Sequence, residues 1–177
     1  MKFSPTPLEG ACVVDIEKIE DSRGFFARGW CENEFRSAGL PTRIAQANLS
    51  FNTTKGTLRG MHWQNPPHAE AKLVRCTKGA IFDVIVDLRP NSVTYRKWFG
   101  VELSADNRRM LLVPENFAHG FQTLTADSEI FYQVSEFYAP KFEMGARFDD
   151  PEFSIEWPLE ITEISDKDAS WPNFQKA

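Results

Sequence analysis

Apolar and polar side chains alternate most clearly between residues 80 and 90, in the sequence AIFDVIVDLRP. Side chains two positions apart on a strand point to the same side, so one face carries Phe82, Val84, Val86 and Leu88. The other face carries Ile81, Asp83, Ile85, Asp87 and Arg89. The pattern predicts a β-strand over this stretch.

Similar strand-like runs recur along the chain, at residues 72–76, 98–103, 110–113 and 129–138. Turn-forming segments separate them, at residues 77–79, 90–92 and 104–107. Short strands at this spacing are typical of a β-sandwich or barrel. Helical periodicity is confined to residues 31–38, with Phe35 as the apolar anchor. We therefore predict an all-β fold and disfavour an α/β fold.

The segment after Pro151 mixes prolines and charges with a few large apolar side chains, which are Phe153, Ile155, Trp157 and Ile161. We expect it to be extended, to pack on the barrel and to carry polar groups inward.

The 177 residues predict one domain over residues 1–177, with a core supplied by an apolar content of 42%. The three cysteines are widely spaced, which favours neither a disulfide framework nor a zinc site and fits a reducing cytoplasm. A net charge of −5 without a basic stripe disfavours a nucleic-acid partner. We also expect no membrane association, because neither a signal segment nor a spanning apolar run is apparent.

His62 lies in the dense polar passage TLRGMHWQ at residues 57–64. Arg59 and His62 have opposite strand parity, so a regular strand would point them to opposite faces. A bulge at Gly60 would let both point inward. A hydrogen-bonded structural histidine is the competing interpretation.

Alternation groups Lys72 with Val74 and Cys76, and Tyr132 with Val134, Glu136 and Tyr138. Each set includes a group able to hold or transfer a proton, although a solvated strand face explains each segment equally well.

His119 lies between a proline and a glycine in PENFAHGF, residues 114–121, where a turn would aim its ring; a structural role is the alternative. His68 is predicted to be an exposed loop residue without a role.

No His-x-His pair or histidine-rich strand supplies metal ligands, so a metal-dependent cupin oxygenase is disfavoured. The serine-hydrolase elbow, the phosphate-binding glycine loop and the dinucleotide fingerprint are also missing from the sequence.

Several motifs in order along the chain carry a family resemblance. They are DSRG at 21–24, QAN at 46–48, TLRGMH at 57–62, KL at 72–73, FDV at 82–84, VDLR at 86–89, Pro114, HGF at 119–121 and SDKD at 165–168. Together they resemble the dTDP-4-dehydrorhamnose 3,5-epimerase family from about Asp21 to Asp168.

The resemblance implies a cupin-like double-stranded β-helix, or jelly roll, that forms a homodimer and works without a metal or other cofactor. It implies conversion of dTDP-4-dehydro-6-deoxy-D-glucose to dTDP-4-dehydro-L-rhamnose, for deoxysugar incorporation into polysaccharide. His62 would be the general base, Asp168 would orient it, Lys72 would stabilise the enolate and Tyr132 would be the acid.

Substrate binding is implied for a larger set of residues. The residues expected to contact the sugar and diphosphate are Arg23, Arg59, Lys72 and His119. Contacts to the nucleotide fall to Gln46, Asn48, Glu143 and Lys167, with Tyr138 stacking on the base. Some of these residues are expected to act across the dimer interface.

Arg28 departs from the family pattern, because a glutamate that helps to bind the nucleotide is usual soon after the DSRG motif. The exchange reverses the charge and replaces an acceptor with donors, which leaves the preference for a particular nucleotide base open.

Two related functions also stay open, epimerisation at only C3 or C5 and use of another nucleotide-linked 4-keto sugar. A non-catalytic sugar-nucleotide-binding barrel is the alternative from a different class, although it would be expected to lose His62, Tyr132 or Asp168.

Overall fold

The computed structural model describes residues 1–175, and their strands form two antiparallel sheets and a separate hairpin. The strands are β1 (Lys2–Pro5), β2 (Cys12–Asp15), β3 (Ile19–Asp21), β4 (Gly24–Phe26), β5 (Gln46–Asn52), β6 (Leu58–Gln64), β7 (Lys72–Lys78), β8 (Ala80–Asp87), β9 (Trp98–Ser104), β10 (Met110–Val113), β11 (Phe117–Thr123), β12 (Ser128–Val134) and β13 (Glu143–Gly145). The two helices are α1 (Glu32–Ser37) and α2 (Asp166–Ala169).

The two larger sheets interleave along the chain. One has the order β1-β2-β10-β7-β12-β5, and the other has the order β13-β6-β11-β8-β9. Since β6, β7 and β8 alternate between the sheets, the chain winds around a common core as a jelly roll. The all-β jelly-roll prediction is confirmed.

The core between the sheets is built by the alternation seen in the sequence. Ile81 and Ile85 of β8 pack with Val74 of β7 and Leu111 of β10 in one buried cluster. The opposite face of β8 packs in a second cluster, which contains Val84, Val86 and Leu88. The strand is therefore buried on both faces, as its aliphatic side chains require.

The outer coverings also follow the sequence. Phe35 of α1 is 1% exposed and packs over the sheet that contains β2 and β10. The extended segment after Pro151 places Phe153, Ile155 and Trp157 against the cluster on the outer face of β8. Both predictions are confirmed.

One strand is shorter than the sequence predicts. β12 ends at Val134, so Glu136 and Tyr138 do not continue its alternation. Side chains divert the backbone here, because the Phe137 amide donates to the Glu136 carboxylate and the Tyr138 amide donates to Gln46 Oε1.

The three cysteines are free, and burial raises the pKa of the Cys12 and Cys76 thiols to about 11. Within residues 1–175, every helix is too short to cross a membrane.

Asp87 anchors the turn after β8. Its fully buried carboxylate accepts hydrogen bonds from Arg89, Ser92 and Thr94. Burial by itself would raise the pKa of Asp87, but these hydrogen bonds outweigh burial and lower the pKa to about 2.

We expect Asp87→Asn to lower the free energy of unfolding by about 2 kcal/mol near neutral pH. A carboxyl whose pKa is lower in the folded chain stabilises the fold above its unfolded value, here 3.8, and loses that contribution as the pH falls toward about 2. Denaturant titrations across this range should therefore show wild type and variant converging in acid. The exposed Asp106→Asn serves as the control. A loss that stays constant with pH would mean that the charge is not responsible.

Candidate active site

Two adjoining cavities are lined mainly by strands β5, β6, β7, β11 and β12. The first chamber, of about 420 Å³, contains all four candidate catalytic groups and is lined by Leu49, Ser50, Phe51, Arg59, His62, Lys72, His119, Gly120, Phe121, Ile130, Tyr132 and Asp168. The second chamber, of about 320 Å³, is lined by Gln46, Asn48, His62, Trp63, Gln64, Glu70, Lys72, Tyr132, Val134, Tyr138 and Glu143. His62, Lys72 and Tyr132 line both chambers and therefore mark their junction.

A bulge in β6 brings Arg59 and His62 into the first chamber. His62 pairs with His119 and Arg59 pairs with Phe121, so β6 has one more residue than β11 over this interval. Gly60 allows the bulge, because its φ is +121° and a Cβ there would lie 2.6 Å from the Gly120 Cα. The expectation that a bulge at Gly60 turns both side chains inward is confirmed.

His62 and Asp168 form a close pair. His62 Nε2 lies 2.6 Å from Asp168 Oδ1, and the second carboxylate oxygen accepts from the Gly60 amide at 3.2 Å. Burial would raise the pKa of Asp168, but the hydrogen bond and charge of His62 outweigh it and lower the pKa. An ionised carboxylate beside Nε2 favours the tautomer protonated there, which leaves Nδ1 as the basic atom.

The short helix α2 supplies Asp168, and it was not predicted from the sequence. Ser165 caps it by accepting a hydrogen bond from the Asp168 amide at 3.1 Å. Four residues are too few to show helical periodicity.

His119 forms a second histidine–carboxylate pair beside the first. Its Nε2 lies 2.8 Å from Oδ1 of Asp83, and the Asp83 side chain is fully buried. The two imidazoles are direct neighbours across β6 and β11. Arg59 lines the same chamber, and its Nε donates to Asn52 Oδ1 at 2.7 Å.

Lys72 and Tyr132 project into the junction of the chambers from neighbouring strands. Lys72 forms an ion pair with Glu70. Partial burial raises the pKa of Tyr132, the nearby charge of Glu70 raises it further, and Arg59 lowers it. A tyrosine phenol is protonated at neutral pH and can donate a proton, and the net upward shift of its pKa extends the protonated state to higher pH.

The second chamber contains a chain of polar contacts at its mouth. The Tyr138 hydroxyl donates to Glu143 at 2.7 Å, and Lys167 donates to the other oxygen of Glu143 at 2.6 Å. Gln46 accepts from the Tyr138 amide at 2.8 Å, and Asn48 lines the chamber on the same strand. Tyr138 is 58% exposed, which leaves its ring free to stack.

Sequence reasoning missed Gln64 and Glu70. Gln64 is 3% exposed; its amide donates to the Phe137 carbonyl at 3.2 Å and accepts from the Ala139 amide at 2.6 Å. It therefore fixes the loop that carries Tyr138. The alternation of β6, which puts Gln64 on the same side as His62, could have indicated it.

Three residues considered in the sequence lie apart from the chambers. Arg23 is at the tip of the exposed β3–β4 hairpin, where it pairs with Asp21. Arg28 pairs with Glu34 at 2.8 Å, outside both chambers. His68 was expected to be exposed but is half-buried, because its ring packs on Phe142 with centroids 4.6 Å apart.

Among the described residues, no three His, Cys, Asp or Glu side chains are grouped as metal ligands. The site instead offers imidazoles, a phenol and an ammonium, which are groups suited to moving protons and stabilising an oxyanion.

Comparison with known proteins agrees with this geometry. A family model described as dTDP-4-dehydrorhamnose 3,5-epimerase matches residues 5–176. A protein of that name from Methanothermobacter thermautotrophicus is 43% identical over 173 residues, which cover 96% of this chain and 92% of the relative. A Streptomyces niveus relative named dTDP-4-dehydrorhamnose 3-epimerase is 38% identical over 169 residues, covering 95% and 81%.

The likeness extends to solved structures. A crystal structure of dTDP-4-dehydrorhamnose 3,5-epimerase from Bacillus anthracis matches with a TM-score of 0.94 and 39% identity, covering 98% of this chain and 99% of that one. The chain therefore belongs to the dTDP-4-dehydrorhamnose 3,5-epimerase family of sugar-nucleotide epimerases.

Proposed function

We propose that this chain converts dTDP-4-dehydro-6-deoxy-D-glucose to dTDP-4-dehydro-L-rhamnose by inverting C3 and C5. The observation that carries the proposal is one chamber lined by both the His62–Asp168 pair and Tyr132. A base and an acid facing the same space are what two inversions next to a ketone require.

The C4 ketone acidifies the hydrogens on C3 and C5. His62 removes one proton, the electron pair of the broken C–H bond forms the double bond to C4, and the π pair of the C4 carbonyl moves onto its oxygen. Lys72 stabilises the resulting enolate, and Tyr132 returns a proton to the opposite face of the carbon. The carbon skeleton is neither oxidised nor reduced, so no further reactant is needed.

Asp168 supports the base in two ways. It fixes the imidazole through Nε2, and its negative charge stabilises the imidazolium that forms when His62 takes the proton. Because the pKa of Asp168 is lowered, the carboxylate stays ionised through the neutral range.

The second chamber would hold the nucleotide. Tyr138 would stack on the base, with Gln46, Asn48, Glu143 and Lys167 around it, and Arg59 and His119 would meet the diphosphate and sugar. The Bacillus anthracis relative has TDP and PPi bound, which supports a nucleotide diphosphate as the ligand class. Arg23 is exposed and lines neither chamber of its own chain, which supports a contact to the substrate of a partner chain. The proposed assembly is a cytoplasmic homodimer of single-domain chains.

Epimerisation at C3 alone is the second candidate function. The Streptomyces niveus relative carries the name of a 3-epimerase, so the family includes this activity. A non-catalytic binding barrel is less well supported, since the base, its carboxylate and the acid are all present around one chamber.

The roles of His62 and Tyr132 can be separated by deuterium exchange. His62→Ala should abolish exchange at C3 and C5, because neither enolate forms without the base. Tyr132→Phe should retain exchange and lower net inversion by about 10² to 10⁴-fold, since proton removal survives while delivery from the far face fails. NMR of the 4-keto sugar nucleotide in D₂O measures both quantities.

Matched controls for these variants are His68→Ala and Tyr95→Phe, which lie outside both chambers. Exchange at C3 alone by the wild type would favour the 3-epimerase. Inversion by Tyr132→Phe at the wild-type rate would show that another group is the acid.

Lys72→Ala should lower kcat by about 100-fold and change KM much less, because the charge is needed mainly when the enolate forms. Lys78→Ala is the control on the same strand, since Lys78 is 60% exposed. Steady-state kinetics give both constants. A rise in KM at constant kcat would make Lys72 a substrate anchor instead.

Because Arg28 lies outside both chambers of its own chain, we propose that it meets the nucleotide bound by the partner in the homodimer. The preference for thymidine should be weak there, because Arg28 replaces the usual carboxylate acceptor. Arg28→Glu should strengthen the preference, whereas Arg36→Glu on α1 should not. Calorimetric affinities for dTDP, UDP, CDP and GDP provide the measurement. A strong wild-type preference for dTDP would show that the other polar groups suffice.

A further inference from the structure

Glu70 is an acidic group in the site that the proposed mechanism leaves without a role. It lines the second chamber and forms an ion pair with Lys72. The side chains of Glu70 and Lys72 are only 11% and 10% exposed. Such a carboxylate at the junction of the chambers is costly to bury unless it is paired.

The position of Glu70 follows from the local backbone. It precedes β7 by two residues, so an extended chain points it to the same side as Lys72. Its second carboxylate oxygen faces the Gln64 amide nitrogen at 3.5 Å. Gln64 is held in place by its hydrogen bonds with the loop at residues 137–139, so Glu70 lies between a fixed amide and the Lys72 ammonium.

We propose that Glu70 is a positioning residue for the epimerisation, holding the Lys72 ammonium at the place where the enolate oxygen forms. The inference rests on the proposed function and adds to it a residue that determines the geometry of its oxyanion site. Lysine has a flexible four-carbon stem and three N–H donors. Glu70 engages one donor and restrains the stem, which leaves two donors for the substrate.

Glu70 also adds negative charge beside the acid. The other titratable or charged groups around the two chambers come from several elements and are Arg59, His62, Lys72, His119, Tyr138, Glu143 and Asp168. Partial burial is the largest cause of the raised pKa of Tyr132, and the negative charge of Glu70 is the second largest. Replacing this carboxylate with an amide should therefore lower the pKa of Tyr132.

The kinetic test compares Glu70→Gln with the exposed control Glu115→Gln. Glu70→Gln should lower kcat by about tenfold with little change in KM, because a mobile ammonium stabilises the enolate less well. Glu70→Asp keeps the charge and should recover part of the loss. The alkaline fall in kcat should move to lower pH in Glu70→Gln, because Tyr132 must be protonated to act as the acid.

A second readout does not require turnover. The chain has three tyrosines, so phenolate absorbance during an alkaline titration can be assigned to Tyr132 by comparison with Tyr132→Phe. The Tyr132 signal should titrate at lower pH in Glu70→Gln than in the wild type, and Glu115→Gln should leave it unchanged.

The outcomes separate the two proposals. If the wild type exchanges deuterium at C3 and C5 while Glu70→Gln keeps the wild-type kcat, pH profile and tyrosine titration, the role of Glu70 is wrong and the epimerase function stands. A higher kcat in Glu70→Gln would also contradict positioning. A wild type that exchanges neither hydrogen would overturn the proposed function itself.

Discussion

One buried carboxylate, Asp168, joins the chain's C-terminal segment to the centre of the site. Its two oxygens contact the ring of His62 and the amide of Gly60. The same side chain therefore orients the candidate base and supports the bulge that turns the base inward. Because α2 delivers Asp168 from the extended segment packed on the jelly roll, docking of that segment is a precondition for the site.

Charge pairing organises the rest of the site. His62 pairs with Asp168, His119 with Asp83, Lys72 with Glu70 and Lys167 with Glu143. Arg59 differs, because its hydrogen-bond partner is the neutral amide of Asn52. Its positive charge is therefore not offset by that contact, which suits it to the diphosphate of a nucleotide-linked substrate.

Much of the fold could be predicted from alternation, because β8 buries a different apolar set on each face and α1 buries Phe35. Alternation did not predict where β12 ends, because side-chain hydrogen bonds replace the backbone pairing there. The Tyr138 amide, for example, donates to the Gln46 side chain. For the site, local geometry identified the Gly60 bulge, whereas the pairing of His62 with Asp168 came only from the family resemblance. A contact across 106 positions leaves no periodic trace in the sequence.

Partner groups were the hardest part to predict for the same reason. Glu70 lies two residues from Lys72, yet an acid and a lysine at that spacing are common on solvated strand faces. The burial of this pair beside Tyr132 is what identifies it as part of the site. That burial depends on the pairing of β7 with β12.

The rim of the first chamber connects this chemistry with the proposed homodimer. Leu49 and Phe51 line that chamber on the edge strand β5, and they are 66% and 49% exposed. An apolar edge strand of this kind is normally covered in a folded protein. Coverage by a second chain would remove water from the mouth of the chamber, and a lower local dielectric would strengthen the attraction between Lys72 and an enolate. Dimer formation and catalysis would then depend on the same surface.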